Sequence, residues 1–374
     1  MITHLFSAPH ILFPDRREMS AGWIEVRNGV ITAAGYGAPP RAATEEADGF
    51  IVPGFIDVHA HGGGGANFGT TLGEAKTVLA THRRHGTTTM IASLVTAAVD
   101  DLVDSIHLLA PLVHQGLLAG LHLEGPCLSP ERKGAHPLNH LINPSTKVIN
   151  ELIEAGQGTI KMVTIAPERA GAIEAISHLV AQDIVVSIGH TSADYATTKA
   201  AIAAGAKGAT HLFNAMPDLS HRNPGPVLAL WQDPRVWLEL IVDGIHVDLA
   251  LVAHVAATAP RRIVLVTDAM AAAGAADGHY MLGELPVVVR DGVARLAGAS
   301  TIAGSTLTLD RAIRHLIEAG TPPMLALRAA TEHAAAYLGL DDVGSIKAGQ
   351  RADLVFLDND FQVRRVMSGG AWVK

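Results

Sequence analysis

Residues 53–62 read PGFIDVHAHG, an apolar stretch that ends in two histidines two positions apart. The apolar run predicts a β-strand over residues 55–61. Strand residues two apart face the same side, so His59 and His61 are expected to point together. After this stretch, β-branched runs alternate with alanine-rich segments of helical period. Such alternation is typical of βα units that build a parallel sheet.

Eight strands are predicted along this alternating region. They cover residues 55–61, 88–95, 117–124, 159–166, 183–190, 208–214, 237–243 and 262–268. Helices are predicted over residues 72–85, 100–115, 146–155, 194–204, 307–319 and 324–338, and a hairpin over 286–290 and 293–296. The first four helices are followed directly by glycine, the usual left-handed helix stop. Eight parallel strands favour an α/β fold of the TIM-like (β/α)8 barrel class over a doubly wound sheet.

The two ends of the chain have the sequence character of short strands. At the N-terminal end, predicted strands 23–26 and 30–33 flank Asn28-Gly29, a dipeptide typical of tight hairpins. At the C-terminal end, residues 353–357, 363–367 and 372–374 return to strand character. We therefore expect residues 1–53 and 345–374 to form a small β-sandwich domain beside a barrel of residues 54–344.

The composition excludes several functional classes. Of the 374 residues, 48% are hydrophobic, a fraction typical of globular proteins and too high for disorder. The formal net charge of −8 lacks the basic excess of proteins that bind nucleic acid or membrane surfaces. A single cysteine cannot form an intramolecular disulfide, and neither a signal peptide nor an apolar run of membrane-spanning length is visible. We expect a cytoplasmic protein that has neither nucleic acid nor membrane as a partner.

Histidines and carboxylates stand at or just after the ends of six predicted strands. They are His59, His61, His122, Glu124, His190, His211, Asp243, His246 and Asp268. Each has a structural alternative, as a helix cap, a turn residue or part of a core pair. Because the C-terminal ends of barrel strands meet at one mouth, their joint occurrence predicts a metal site. Imidazoles together with carboxylates favour Zn²⁺, Fe²⁺ or Co²⁺ over Mg²⁺ or Ca²⁺.

A metal at this mouth predicts hydrolysis. A bound divalent ion lowers the pKa of water from roughly 15.7 to about 7 and polarises a carbonyl group. A carboxylate beside it can accept the water proton and return it to the leaving group. Asp268, on the last predicted strand, is the expected base. The expected chemistry is metal-assisted hydrolysis of an amide or an ester.

The stretch at residues 53–62 resembles the first-strand signature of the amidohydrolase superfamily. Five further blocks, in family order, resemble the N-acetylglucosamine-6-phosphate deacetylase family. They read HLEGP (122–126) with KGAH (133–136), GHT (189–191), THLFNAM (210–216) with His221-Arg222, DGIH (243–246), and TDA (267–269) with AGS (303–305). The THLFNAM block with the following His-Arg is the most specific. The resemblance spans residues 51–306, and the flanking strands fit the family's small β-domain.

The resemblance implies one or two divalent metal ions per subunit. Glu124, His190 and His211 are expected to hold the main ion. His59 and His61 permit a second ion, which the glutamate would bridge. Zinc is the favoured metal, with iron, cobalt or manganese as alternatives.

The resemblance also implies how the reaction proceeds and how a substrate is bound. Asp268 is expected to act as general base and then acid, and His136 to donate to the developing oxyanion. The residues expected around the sugar are Ala135, Asn214, Ala215, Asp243, His246, Ile302, Ala303 and Gly304. Arg222 is expected to bind a 6-phosphate from the neighbouring subunit of a homodimer, because a guanidinium suits a dianionic phosphate.

The implied reaction is hydrolysis of N-acetyl-D-glucosamine 6-phosphate to D-glucosamine 6-phosphate and acetate, a step of amino-sugar catabolism. Two alternatives stay open. Another amidohydrolase would act on a cyclic amide, an N-acyl amino acid or a nucleobase. A catalytically inactive binding protein on the same barrel would lack a ligand or the base, and the sequence contains both.

Three further features have no assigned place in this site. Cys127 fits either a small apolar loop residue or a thiol near the metal that is sensitive to oxidation. The glycines at 62–65 lack the Gly-Lys-Ser/Thr ending of a phosphate loop and predict a flexible loop over the site. Six histidines in helix-period segments are expected at the surface or at an interface. They are His82, His85, His107, His114, His178 and His254.

Overall fold

The computed structural model describes residues 3–374, and its central element is a barrel of eight parallel strands. Each strand pairs with the next one along the chain. The strands are Phe55–Asp57, Thr87–Val95, Gly120–Glu124, Ile160–Ile165, Val185–Ile188, Gly208–Ala209, Trp237–Ile241 and Ile263–Val266. A parallel bridge between Ala60 and Ala269 joins the segments that follow the first and eighth strands. The predicted α/β barrel is confirmed.

Seven of the eight barrel strands are shorter than predicted, and two of them end four or more residues early. The first ends at Asp57 instead of residue 61, and the sixth ends at Ala209 instead of residue 214. Beyond the sixth strand, His211 and Phe213 have φ angles of 31° and 82°, in the left-handed region that strands do not contain. The strand prediction is therefore wrong for these residues, which belong to the loops of the barrel mouth.

Within residues 3–374, helices pack around the barrel. They are α1 (Leu72–Arg84), α2 (Val99–His114), α3 (Thr146–Gly156), α4 (Ala172–Val180), α5 (Tyr195–Ala203), α6 (Gly225–Gln232), α7 (Leu249–Thr258), α8 (Leu309–Glu318), α9 (Pro323–Ala329) and α10 (Glu332–Leu338). The helix predicted over residues 324–338 is in fact two helices, α9 and α10. Helices α4, α6 and α7 were not among the predictions. None of the helices in this part of the chain is long and apolar enough to cross a membrane.

The barrel wall is buried on both of its faces, and its largely apolar strands include some buried polar side chains. Every residue of Val185–Ile188 and of Ile263–Val266 is buried. Parallel strands that are covered by helices read as continuous apolar runs for this reason. The exception in Trp237–Ile241 is Glu239, a carboxylate that is fully buried in the seventh strand.

Strands from both ends of the chain form one mixed sheet with its own apolar core. They are Thr3–Ile11, Ser20–Arg27, Val30–Tyr36, Glu45–Glu46, Phe50–Pro53, Leu354–Leu357, Val363–Ser368 and Ala371–Trp372. In this core, Phe6 packs edge to face against Phe356 and Trp372. The first two residues of the predicted terminal domain lie outside the described residues. The domain boundaries at 53/54 and 344/345 stay a prediction.

Two small antiparallel sheets flank the barrel mouth. The predicted hairpin has a third strand, so that the sheet consists of Gly278–Leu282, Leu285–Arg290 and Val293–Leu296. Residues 62–67 form a second, shorter hairpin. Its backbone N–H groups donate to the carbonyl oxygens of Ala269, Ala271 and Ala273. The prediction of a loop at the glycines is therefore wrong.

Candidate metal centre and active site

Histidines and carboxylates from five barrel strands meet at the mouth of the barrel. Their ligand-type atoms form two groups, and the atoms of each group lie within 4.8 Å of one another. One group is His59, His61, Glu124 and Asp268, and the other is Glu124, His190 and His211. All six side chains are buried. The structure thus brings together every predicted metal ligand and the predicted base.

Glu124 lies at the centre of this cluster. Its Oε1 is 3.0 Å from Nε2 of His211 and 3.2 Å from Nε2 of His190. Its Oε2 is 3.1 Å from Nε2 of His61, and Oδ1 of Asp268 is 3.2 Å from the same nitrogen. A carboxylate that faces both groups of histidines is placed to bridge two cation positions.

The backbone is strained at three of these residues. The φ angle is 46° at His190, 31° at His211 and 48° at Asp268. Such angles cost roughly 1–3 kcal/mol at a non-glycine residue and persist only where the surrounding structure enforces them. All three follow the ends of barrel strands, so the strain coincides with the mouth and supports a functional role for it.

The orientation of the imidazole rings fits a bound cation. Nδ1 of His61 lies 3.1 Å from the carbonyl oxygen of Ser93, and Nδ1 of His59 lies 3.2 Å from Oε2 of Glu239. These oxygens accept hydrogen bonds, so we assign the ring proton to Nδ1 and a lone pair to Nε2 in both histidines. The two Nε2 atoms are 3.2 Å apart. Lone pairs at this distance repel unless a cation binds between them, as in a metal site.

The charge of the cluster also calls for a cation. The ion-pair partners of Glu124 and Asp268 within residues 3–374 are all histidines. Burial raises the pKa of Glu124, but His59 and the other histidines bring it well below its ordinary value. Buried ionised carboxylates that pair with histidines, and with no lysine or arginine among the described residues, suit a divalent metal.

His136 adds a neutral ring beside the cluster. The backbone N–H of Thr96 donates to its Nδ1 at 3.3 Å, which leaves the ring proton on Nε2. That Nε2 lies 3.5 Å from Oε2 of Glu124. Burial lowers the pKa of His136 to about 4, and the neighbouring His190 acts in the same direction. At neutral pH the ring therefore offers an N–H donor next to the carboxylate.

The cluster forms part of the wall of a cavity of about 460 Å³. Six predicted substrate-binding residues line it: Ala135, Asn214, Ala215, His246, Ile302 and Gly304. Asp243, Ala303 and Arg222 are not among the lining residues. The sequence predictions missed other parts of the wall, which include Val95, Glu131, Arg132, Leu282 and Thr301.

Two polar residues that line the cavity, His246 and Asn214, are held in place by hydrogen bonds to the protein. Oδ2 of Asp243 accepts a hydrogen bond from Nδ1 of His246 at 2.7 Å, so this carboxylate orients the histidine that lines the cavity. Burial raises the pKa of Asp243, but His246 makes it lower than usual overall. Nδ2 of Asn214 donates to the carbonyl oxygen of His211 at 3.1 Å. The Oδ1 atom of Asn214 is thereby available as an acceptor.

Arg222 and Cys127 lie apart from the cavity. Arg222 belongs to a segment, residues 218–223, in which every residue is exposed. Cys127 is buried in a separate apolar cavity together with Ile149 and Leu152. Burial raises the pKa of its thiol to about 12, so the thiol stays protonated at neutral pH. The structure favours the interpretation of Cys127 as a small apolar residue.

The helical histidines are not all at the surface. His107, His114 and His254 are exposed, whereas His85 and His178 are half-buried. The prediction of a surface or interface position is wrong for the sixth of these histidines. His82 in α1 is fully buried, and its Nε2 donates to the carbonyl oxygen of Gly62 at 2.9 Å. Gly62 lies in the hairpin that follows His61. This hydrogen bond explains why a polar residue of α1 faces the protein interior.

Comparison with known proteins agrees with this geometry. The family model described as "Amidohydrolase family" matches residues 50–373, which is most of the chain. The chain belongs to the amidohydrolase family. The predicted superfamily is therefore confirmed.

This amidohydrolase is similar to several deacetylases over nearly its whole length. It is 38% identical to the N-acetylgalactosamine-6-phosphate deacetylase of Escherichia coli O157:H7, over 96% of this chain and 98% of that protein. It is 34% identical to the N-acetylglucosamine-6-phosphate deacetylase of Vibrio furnissii, over 99% of this chain and 94% of that protein.

A solved structure of a deacetylase is also similar to this chain. It is the N-acetyl-D-glucosamine-6-phosphate deacetylase of Mycobacterium smegmatis, an aspartate-to-alanine mutant in complex with N-acetyl-D-glucosamine-6-phosphate. The amidohydrolase described here is 46% identical to it, with a TM-score of 0.97 and coverage of 100% of both chains.

Proposed function

We propose that this amidohydrolase hydrolyses N-acetyl-D-glucosamine 6-phosphate to D-glucosamine 6-phosphate and acetate. The observation that carries the proposal is the buried cluster of histidines and carboxylates in the wall of the 460 Å³ cavity. The relative that is 46% identical was solved in complex with this sugar phosphate, which supports the choice of substrate.

We assign the metal ligands to the two groups of the cluster. Glu124, His190 and His211 would hold the main ion, and His59 and His61 would hold a second one together with Glu124. Zinc is the proposed metal, because it is commonly bound by imidazole and carboxylate together. A bound zinc ion would supply Lewis acidity, which lowers the pKa of water and polarises a carbonyl oxygen.

Two side chains carry the proton transfer and the charge stabilisation. Asp268 accepts a proton from the water that attacks the acetyl carbonyl, and gives it to the nitrogen as the C–N bond breaks. His136 donates its Nε2–H to the oxyanion that develops on the acetyl group. Both side chains are buried, where such interactions are stronger than in water.

The remaining polar groups of the site bind the sugar and its phosphate. Oδ1 of Asn214 and the ring of His246 take sugar hydroxyls. For the phosphate, Arg132 lines the cavity of the same chain, whereas Arg222 is exposed. In the proposed homodimer Arg222 reaches the neighbouring cavity, where a guanidinium can bind the phosphate with two hydrogen bonds. The enzyme is proposed to work in the cytoplasm.

The 4-epimer of the sugar is a second candidate substrate. The Escherichia coli relative that is 38% identical to this chain is named for N-acetylgalactosamine 6-phosphate. The two sugars carry the same acetamide and the same phosphate and differ only in the configuration at C4. The glucosamine derivative is preferred, because the relative that binds it has the higher identity.

The proposal is tested by acetate release from both phosphorylated sugars and from the two free sugars, with bound metal counted on the same sample. We expect kcat/KM for N-acetyl-D-glucosamine 6-phosphate to be the highest. It should exceed that for the free sugar by about 10–100-fold, the value of a charge-assisted phosphate contact. Equal values for phosphorylated and free sugars would contradict the phosphate assignment. No acetate from any of them, with metal bound, would contradict the deacetylase.

The subunit that supplies the phosphate contact is tested by mixing variants. Arg222→Ala is expected to raise KM for the phosphorylated sugar and to leave the rate on the free sugar unchanged. In a heterodimer of Arg222→Ala and Asp268→Asn subunits, one of the two sites has both intact residues only if Arg222 acts in the neighbouring subunit. Restored activity therefore supports the homodimer. An unchanged KM in Arg222→Ala would assign the phosphate to Arg132.

A further inference from the structure

Glu239 is a fully buried carboxylate to which the proposed reaction assigns no role. It lies in the middle of the seventh barrel strand, where the other residues are apolar. Within residues 3–374, no lysine or arginine pairs with it, and its ion-pair partner is His59. Burial of a carboxylate is unfavourable unless charge or hydrogen bonds compensate it. The position of Glu239 beside a proposed metal ligand therefore points to a function.

Three groups donate hydrogen bonds to this carboxylate. Nδ1 of His59 donates to Oε2 at 3.2 Å, and the backbone N–H of His211 donates to the same oxygen at 3.3 Å. The hydroxyl of Tyr337 donates to Oε1 at 3.1 Å. His59 and His211 belong to different ligand groups of the cluster. Glu239 contacts His59 through the imidazole ring and His211 only through the backbone, so it makes a hydrogen bond to the metal-binding ring of one group only.

The support of Glu239 continues across the barrel interior. The hydroxyl of Tyr337 and Oγ of Ser187 both lie next to Gly208. From Ser187, a chain of buried hydrogen-bonding side chains continues through Thr210, Thr164, His122 and Ser93. At the far end of this chain, the carbonyl oxygen of Ser93 accepts the Nδ1 proton of His61. The two histidines that follow the first strand are thus held by Glu239 on one side and by the carbonyl oxygen of Ser93 on the other.

Gly208 in the sixth strand leaves room for this network. A Cβ atom at this position would lie 1.8 Å from the hydroxyl of Tyr337 and 2.6 Å from Oγ of Ser187. Any larger residue would therefore displace the tyrosine hydroxyl from Glu239. The local sequence is compatible with the position of Tyr337 only because residue 208 is glycine.

The partner of His59 differs in kind from the partners of the neighbouring histidines. Nδ1 of His61 and Nδ1 of His190 face backbone carbonyl oxygens, of Ser93 and Arg132 respectively. Nδ1 of His59 instead faces a carboxylate. A carboxylate partner fixes the tautomer and the ring orientation of a histidine and raises its basicity as a metal ligand on the other nitrogen.

We propose that Glu239 is a positioning residue that acts through His59 on the metal position bounded by His59, His61 and Asp268. Tyr337 holds the carboxylate of Glu239 in place. The inference rests on the proposed metal-dependent function. It predicts that the two metal positions depend differently on a residue that touches neither ion.

The first test is Glu239→Gln, which keeps the size of the side chain and an acceptor for His59 but removes the charge. Metal-free wild type and variant are titrated with Zn²⁺ in competition with a chromophoric chelator, which gives an affinity for each equivalent. We expect one equivalent to bind about 10–100-fold more weakly in the variant, and the other to be unchanged. Wild-type affinity for both equivalents in the folded variant would overturn the proposal.

A second variant tests whether the effect passes through His59. In a His59→Asn background, Glu239→Gln should cause no further loss of affinity, because the imidazole through which it acts is gone. Losses that add independently would overturn the proposal.

A structural role is separated from a positioning role by spectroscopy. With Co²⁺ as the probe, the visible spectrum of one of the two ions is expected to change in Glu239→Gln. The matched control is Asp310→Asn, which removes a buried carboxylate that pairs with His85 and Arg314 in the region of α8. This control should leave both Co²⁺ spectra unchanged. Loss of thermal stability in Glu239→Gln without a spectral change would overturn the proposal.

Tyr337→Phe carries the test if Glu239→Gln does not fold. It removes one of three donors and keeps the carboxylate, so a smaller weakening of the same Zn²⁺ equivalent is expected. Unchanged affinity would overturn the proposal. Acetate release by the wild type separates this inference from the proposed function. An active wild type whose metal binding is insensitive to these variants contradicts only the role of Glu239, whereas a wild type that binds no metal contradicts both.

Discussion

At the barrel mouth, His190, His211 and Asp268 combine positive φ angles with buried ionisable side chains. In the terminal segments that the structure describes, the non-glycine residues with positive φ are Asn28 and Phe361, which lie outside the strands, and the core cluster is apolar. Strain is thus concentrated at the mouth, and the buried carboxylate of the terminal domain, Asp353, is paired with Arg351 and not with histidines. Backbone conformations that oppose the local preference of a residue are expected at binding sites and active sites.

We therefore expect substitutions in the two regions to have different effects. Changes at the mouth should remove metal or turnover and leave the fold intact. Changes in the terminal core should remove stability and leave the chemistry intact. The following four predictions test this division.

The largest effect is expected from Glu124→Gln, which removes the charge shared by both ligand groups. Metal affinity should fall by more than the roughly 10–100-fold that is typical for loss of an outer partner. Acetate release should fall with it. Metal content after gel filtration and kcat measured on the same sample provide the check. A variant that retains both metal and turnover would show that the cluster is not the metal centre.

Asp268→Asn should separate turnover from metal binding. Loss of the general base and acid is expected to lower kcat by about 10²–10⁴-fold. Glu124, His190 and His211 stay intact, so at least one metal equivalent should remain bound. Single-turnover acetate release with parallel metal analysis measures both quantities. Near-normal turnover would contradict the assignment of Asp268.

In the terminal sheet, Phe6→Ala should affect stability alone. Phe6 is fully buried between Phe356 and Trp372, and its truncation is expected to cost about 3–5 kcal/mol. Denaturant unfolding measures the loss, and Phe6→Leu provides a milder control. Below the unfolding transition, kcat and KM should equal those of the wild type. A proportional loss of kcat would show that the two regions are coupled.

The smallest effect concerns pH and His82. Burial lowers the pKa of His82 to about 4, below the roughly 6.5 of an unfolded chain. Between these values the unfolded state binds the extra proton, so the free energy of unfolding falls as the pH falls. The contribution is up to about 1.4 kcal/mol per pH unit.

His82→Gln tests this assignment, because its amide can still donate to the carbonyl oxygen of Gly62. Denaturant unfolding at several pH values between 6.5 and 4 should show a shallower pH dependence in the variant. Identical slopes for the two proteins would assign the pH dependence to other groups.

The position of the ligands could be predicted from the sequence because it depends on a simple rule. Runs such as residues 117–124 end in polar residues, and the ends of parallel barrel strands share one mouth. The rule does not require exact strand boundaries. His211 was therefore placed correctly at the mouth, although it lies outside the observed strand.

The backbone at the mouth could not be predicted from local sequence. A positive φ at a histidine or an aspartate opposes local preference and is imposed by the surrounding structure. Helix α6, with the sequence GPVLALWQ, was missed for another reason. It is apolar on all sides, so it lacks the alternating faces from which helices are recognised.

The sequence did contain a signal for Glu239 that was overlooked. A single carboxylate within the apolar run WLELI is unusual for a strand that is buried on both faces. Arg132 is different, since nothing in residues 130–133 indicates which side chain faces a cavity. Its place in the wall follows from the path of the loop after the third strand, which only the structure shows.

The central claim is that the cluster at the mouth makes this chain a metal-dependent hydrolase. It is tested most directly by titration of the metal-free protein with Zn²⁺ while acetate release from N-acetyl-D-glucosamine 6-phosphate is followed. We predict that activity is absent without metal, rises in proportion to bound Zn²⁺ and stops rising at one or two equivalents per chain. Full activity in the metal-free protein, or no activity at stoichiometric metal, would contradict the claim.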